Sequence, residues 1–89
     1  MALPKKKSRK IIVDELAYRW LTSGNDYGID IYVELYDKPG QLLWGRADYR
    51  YDANRQQLGV TPSDVESLIR EALVKGWAPG TTGKDFKLF

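Results

Sequence analysis

The amino-acid sequence predicts an α+β fold: a small antiparallel sheet of three to four strands with one C-terminal helix, residues 62–75, packed on one face. Three observations carry this. Apolar residues recur at helical spacing after residue 62. They alternate with polar residues between Gly28 and Asp37. A Pro-Gly turn then sends the chain back through a second strand-like segment.

The helix has the strongest signals. Thr61-Pro62-Ser63-Asp64 supplies a capping hydroxyl, a proline suited to the first helical position and a carboxylate that can reach back to the cap. Val65, Leu68, Ile69, Ala72 and Leu73 form one stripe at i, i+3, i+4, i+7 and i+8. Glu66 precedes Arg70 by four residues and Glu71 precedes Lys75 by four, the favourable orientation for ion pairs. Gly76 suits a left-handed cap, Trp77 can fold back on the last turn, and Pro79 prevents continuation.

In the strand at 28–37, Ile29, Ile31, Val33 and Leu35 point one way and Asp30, Tyr32, Glu34 and Tyr36 the other. The odd residues are expected to meet the helix, because a one-faced sheet and a one-striped helix can bury each other. Lys38-Pro39-Gly40-Gln41 is a turn, and residues 41–51 read as the returning strand, with Gly45 a candidate bulge. Residues 10–22 fit two readings. As a hairpin they place Leu16, Tyr18 and Trp20 toward the core. As a helix they align Ile12, Val13, Leu16, Ala17, Trp20 and Leu21. Asp14-Glu15 is a poor tight turn, since neither residue favours positive φ. Residues 52–60 read as a polar loop and 78–85 as a Gly/Thr-rich one. Phe86 and Leu88 suit either a short closing strand or packing beneath the helix.

The chain of 89 residues is one domain's worth: a basic tail at 1–9 and a single domain over 10–89. Its formal charge of +2 conceals an asymmetry. Lys5, Lys6, Lys7, Arg9 and Lys10 put five cations in the first ten residues. The remainder holds nine Lys and Arg against twelve Asp and Glu, or −3. There is no Cys and no His, which excludes disulfides, thiolate or imidazole zinc sites, a Cys nucleophile and His-based triads. No apolar run is long enough for a membrane span or the core of a signal peptide, and the expected compartment is the cytoplasm. Gly80-Thr81-Thr82-Gly83-Lys84 imitates a phosphate-binding loop. It fails the pattern, since position 78 is Ala78 and Asp85 follows the lysine.

Tyr18-Arg19-Trp20, Val60-Thr61-Pro62 opening the helix, and Gly76-Trp77, Pro79, Gly83 and Phe86-Lys87-Leu88 together resemble a group of small uncharacterised bacterial proteins. The likeness spans about residues 9–89 and is loose through 23–58. It implies a short basic strand, a turn and a second strand bearing the Tyr-x-Trp segment, which favours the hairpin at 10–22. It implies no activity.

The functional expectation is a non-enzymatic binding or adaptor module that works through protein contacts, with a homodimer along an exposed strand edge as one form. Tyr32, Tyr36 and Trp44 are the candidate partner contacts, since aromatic residues are enriched in interfaces. The alternative is nucleic-acid association through Lys5, Lys6, Lys7, Arg9 and Lys10, which could sit on phosphates. On the polar strand face, Asp30, Glu34 and Asp48 would repel phosphates, which confines that reading to the tail. Catalytic, cofactor and metal sites are expected to be absent.

Overall fold

Residues 10–22 form a hairpin. Strand β1 (Arg9–Val13) turns through Asp14-Glu15 into β2 (Leu16–Asn25) and pairs with it antiparallel, Val13 opposite Leu16 and Ile11 opposite Tyr18. The helical reading of this segment is thereby overturned. The turn takes the left-handed conformation at two non-glycine residues, φ 51° at Asp14 and 70° at Glu15. Such residues carry a steric cost, and a contact from the helix offsets part of it at Asp14. Arg70 on the helix donates from both terminal nitrogens to the Asp14 carboxylate, at 3.0 and 3.2 Å. Glu15 has no such anchor role. Glu15→Gly is therefore expected to stabilise the domain by about 0.5–1 kcal/mol, the αL strain less the entropy of glycine. A chemical denaturation curve checks this, and a lower midpoint than wild type would contradict the turn geometry.

The computed structural model describes residues 7–25, 28–47, 50–51 and 57–88. After β2 come β3 (Gly28–Leu35), β4 (Leu43–Ala47), β5 (Arg50–Tyr51), β6 (Gln57–Leu58), helix α1 (Pro62–Val74) and β7 (Phe86–Leu88). The main sheet has five strands, in the order β1-β2-β3-β4-β7, where three to four were expected. It is mixed, not purely antiparallel: β7 runs parallel to β4, Leu43 beside Phe86 and Gly45 beside Leu88. The expected return strand at 41–51 is divided. β4 stays in the main sheet, and β5 pairs in a separate two-stranded ladder with β6, which lies in the stretch expected to be a loop.

The register sorts side chains into two faces. One inner row crosses all five strands: Arg9, Trp20, Val33, Leu43 and Phe86. A second aligns Thr22, Ile31, Gly45 and Leu88. Helix α1 covers this face with Val65, Ile69 and Ala72, all fully buried. Ile31 and Val33 are buried beneath it, as the alternation at 29–35 predicts. Leu73, placed in the core stripe by spacing, lies at the exposed rim instead. Gly45 forms no bulge, because Ile31 pairs with it in unbroken register. It makes room for the helix: a Cβ there would stand 2.6 Å from Leu68 Cδ2.

Both helix ends close as the sequence predicts. The Thr61 amide donates to Asp64 Oδ2 at 2.9 Å, and the Asp64 amide donates to Thr61 Oγ1 at 3.2 Å. The helix ends at Val74 with Lys75 as the cap, one residue short of the expected 62–75. Gly76 follows at φ 110°, and the Trp77 amide donates to the Ala72 carbonyl. The ion pairs Arg70–Glu66 and Lys75–Glu71 both form, each at 3.4 Å.

Tyr18 is fully buried on the inner face, its ring 5.7 Å from that of Trp77. Its hydroxyl has no hydrogen-bond partner among the described residues. Burial first, and Asp14 second, push the phenol above its ordinary value of 10.0. A raised acid favours the neutral form when folded, so this contribution holds at neutral pH and is lost as pH climbs above about 10. Tyr18→Phe removes the unsatisfied hydroxyl and is expected to gain about 1 kcal/mol at neutral pH. Urea midpoints at about pH 8 and pH 11 check this: the variant's advantage should widen at the higher pH. An advantage that shrinks there would contradict the buried phenol.

Candidate functional site

The helix covers one face of the sheet, and among the described residues no helix covers the other. The candidate site is that outer face, built from three rows. The first runs Leu21, Tyr32, Trp44, Lys87 across β2, β3, β4 and β7. The second runs Lys10, Arg19, Glu34 across β1, β2 and β3, with Tyr36 just beyond β3. The third aligns Ser23, Asp30 and Arg46.

Aromatic rings and cations interleave along these rows. Tyr32 and Trp44 stack with centroids 6.0 Å apart at 24°, and the Lys87 ammonium stands 5.0 Å from the Trp44 centroid. Tyr36 is contacted by two cations, Arg19 at 4.7 Å and Lys10 at 4.9 Å from its centroid. Arg19 also donates to the Tyr36 carbonyl at 3.4 Å. Strand pairing explains the arrangement: cross-strand neighbours on one face stand within contact distance, and aromatic and cationic pairs are mutually stabilising there.

The charges of this face are layered. Asp30 is 7% exposed and Glu34 is 1% exposed. Arg46 donates from Nε to Asp30 Oδ1 at 3.0 Å, and the register sets Glu34 opposite Arg19, itself 7% exposed. The charged residues of the described face that reach solvent are Lys10, Arg46 and Lys87, all cations. The face therefore presents rings and positive charge outward and keeps its carboxylates underneath. This corrects the expectation that Asp30 and Glu34 would present negative charge there. At the margin, Asp85 in the loop before β7 is exposed. Burial, followed by Asp30, pushes the Tyr32 phenol above its ordinary value, with Asp85 adding to this and Arg46 opposing it.

The three candidate partner contacts thus share one surface. Tyr36 is exposed, and Tyr32 and Trp44 are half-buried within their stack. Of the tail cations, Lys10 belongs to the outer face and Arg9 lies over Trp20 at 5.7 Å. Lys7 is exposed; Lys5 and Lys6 lie outside the described residues. So do Asp48 and Tyr49, and the side chains of Arg50 and Tyr51 are likewise outside the description. Lys87 and Arg19 belong to this face without being among the candidates that the sequence offers. Arg19 had a signal, since its parity matches Lys10 once the hairpin is accepted. Lys87 had none, because its place depends on the parallel pairing of β7.

Elsewhere, an open groove of about 450 Å³ lies between α1 and β4, with Arg46, Asp64, Ser67 and Glu71 around Ile31 and Leu68. Its two carboxylates, Asp64 and Glu71, are the ordinary charges of a helix flank, and Arg46 borders it from β4. Among the described residues, no group of three or more Asp and Glu is placed to hold a metal ion. No helix among them is long and apolar enough to cross a membrane. No family model, curated protein or solved structure matches the chain.

Proposed function

We propose that this protein is a non-enzymatic binding module that engages a protein partner through the outer face of its sheet. One observation carries the reading: the face exposes Tyr36 and three cations and half-exposes the Tyr32–Trp44 stack, while Asp30 and Glu34 are buried. Tyr, Trp and Arg are the residues that dominate binding energy at protein interfaces, because they combine large apolar area with a polar handle. Here they are held in place by stacking and cation–π contacts, which lowers the ordering cost of association. The partner surface that fits is flat and acidic. The likeness of Tyr18-Arg19-Trp20 and Gly76-Trp77 to uncharacterised bacterial proteins adds no activity to this reading.

A photo-crosslinking amino acid at position 36 tests it in cells of the source organism. Discrete protein adducts are expected from position 36 and not from position 63 on the exposed start of the helix. Equal adduct patterns from both positions would overturn the reading.

A second reading, nucleic-acid association, is favoured by the exposed Lys7 and by Lys10 extending the tail's charge onto the same face. It makes a different expectation: replacing Lys5, Lys6 and Lys7 with Ala weakens oligonucleotide binding and flattens its salt dependence. Adducts from position 36 that disappear on nuclease treatment would favour this reading over a protein partner.

A further inference from the structure

The sheet has an edge that the outer-face reading does not use. Strand β1 pairs with β2 on one side and is the terminal strand on the other. In a two-residue hairpin the residues flanking the turn, here Val13 and Leu16, form a hydrogen-bonded pair, and pairs alternate from there. Ile11 and Arg9 therefore spend their backbone groups on β2. The N–H and C=O groups of Lys10 and Ile12 point outward, along the free edge. Ile12 is 61% exposed, an apolar side chain at an edge that nothing in the described fold covers.

The charge sequence of this edge is complementary to itself. Lys7, Arg9 and Lys10 precede the apolar Ile11-Ile12-Val13, and Asp14-Glu15 follow. Read antiparallel against a second copy, the basic start of the strand runs toward the acidic turn and the apolar centre lies against itself. From this complementarity, we propose that the protein associates with a second copy of itself through antiparallel pairing of β1 with β1.

Parity narrows the register. Only residues with outward groups can face each other, so three two-fold arrangements are available. Lys10 opposite Lys10 sets like charges directly across from one another, which is unfavourable. Ile12 opposite Ile12 brings Lys10 to Asp14, which is turned out of line at φ 51° and held by Arg70. Lys10 opposite Ile12 overlaps the whole strand. Each Lys10–Ile12 pair exchanges both backbone bonds, Ile11 lies on the two-fold axis, and Arg9 stands opposite Val13. The Lys10 stem covers the exposed Ile12 of the other copy, and the exposed Lys7 runs toward Glu15 of the other copy. The two main sheets become one.

The contact is short, about 17 Å of strand, and buries less than the roughly 1,200 Å² of a standard interface. A weak dimer follows, with Kd of about 10–500 μM. Sedimentation equilibrium of the full chain from about 10 μM to 2 mM reads it directly. The expected mass climbs with concentration from 10.2 kDa toward twice that value. Ile12→Lys sets ammonium groups opposite Lys10 and is expected to weaken association at least tenfold. Adding Lys10→Glu to Ile12→Lys places opposite charges at both pairs and is expected to restore it. Thermal melts confirm that each variant is folded. A wild type that stays at 10.2 kDa overturns the proposal. So does an Ile12→Lys variant that associates unchanged, or a double variant that does not recover. A monomeric result leaves the outer-face reading standing, since that rests on crosslinks from position 36.

Discussion

Replacing Ile69 with Asp abolishes the cooperative thermal transition. Ile69 is fully buried at the centre of the contact between α1 and the sheet. Even its truncation to Ala removes about 2–5 kcal/mol through lost transfer energy and the cavity left behind. Asp adds a carboxylate without a partner in an apolar site, a cost of several kcal/mol more. The whole domain, at 89 residues, has about 4–13 kcal/mol to lose. The measurement is circular dichroism on heating, with Val74→Asp as the control. Val74 is on the same helix and 87% exposed, so its variant should melt as wild type does. An Ile69→Asp variant that still melts within a few degrees of wild type would mean that this stripe does not meet the sheet.

Trp77→Ala is the second large effect. Trp77 is 3% exposed and joins three parts of the fold. Its amide closes the helix on the Ala72 carbonyl, its ring packs near Tyr18, and its indole Nε1 donates to the Gln41 carbonyl at 3.0 Å. Gln41 in turn accepts from the Ala78 amide and donates to the Lys84 carbonyl, so the loop before β4 and the segment leading to β7 share one anchor. Truncation is expected to cost about 3–5 kcal/mol. In a domain of this size that lowers Tm by about 15–30 °C. Trp77→Phe keeps much of the packing but leaves the Gln41 carbonyl without its indole donor, and should fall between. A Trp77→Ala loss below about 1 kcal/mol would contradict the anchor role, since such a value is typical of surface changes.

How much of this was legible in the sequence differs by element, for physical reasons. The helix was legible because its signals are local: the Thr61–Asp64 box, the apolar stripe and Gly76 all act within a few residues. The inner parity of β3 was legible for the same reason. The hairpin at 10–22 was ambiguous because its turn is unfavourable locally and is held by Arg70, 56 residues beyond Asp14. Strand β7 has three residues, and its parallel pairing depends on the path of the chain after the helix, which no local pattern encodes. Gly45 resembled a bulge because a glycine in a strand has several explanations; Leu68 packed against it decides among them. On the outer face, alternation predicted which residues point away from the helix. It could not predict depth. Asp30 and Glu34 share the parity of Tyr32 and Tyr36 yet are buried, and that difference in depth reverses the charge the face presents.

The proposed contact surface of the protein is this layered face. Crosslinking from position 36 in the Trp44→Ser, Lys87→Glu background tests it most directly, because both changes lie on the outer face and spare the helix-packed core. A folded variant whose position-36 adducts are lost is expected. A folded variant that retains every adduct of the unaltered chain would contradict it.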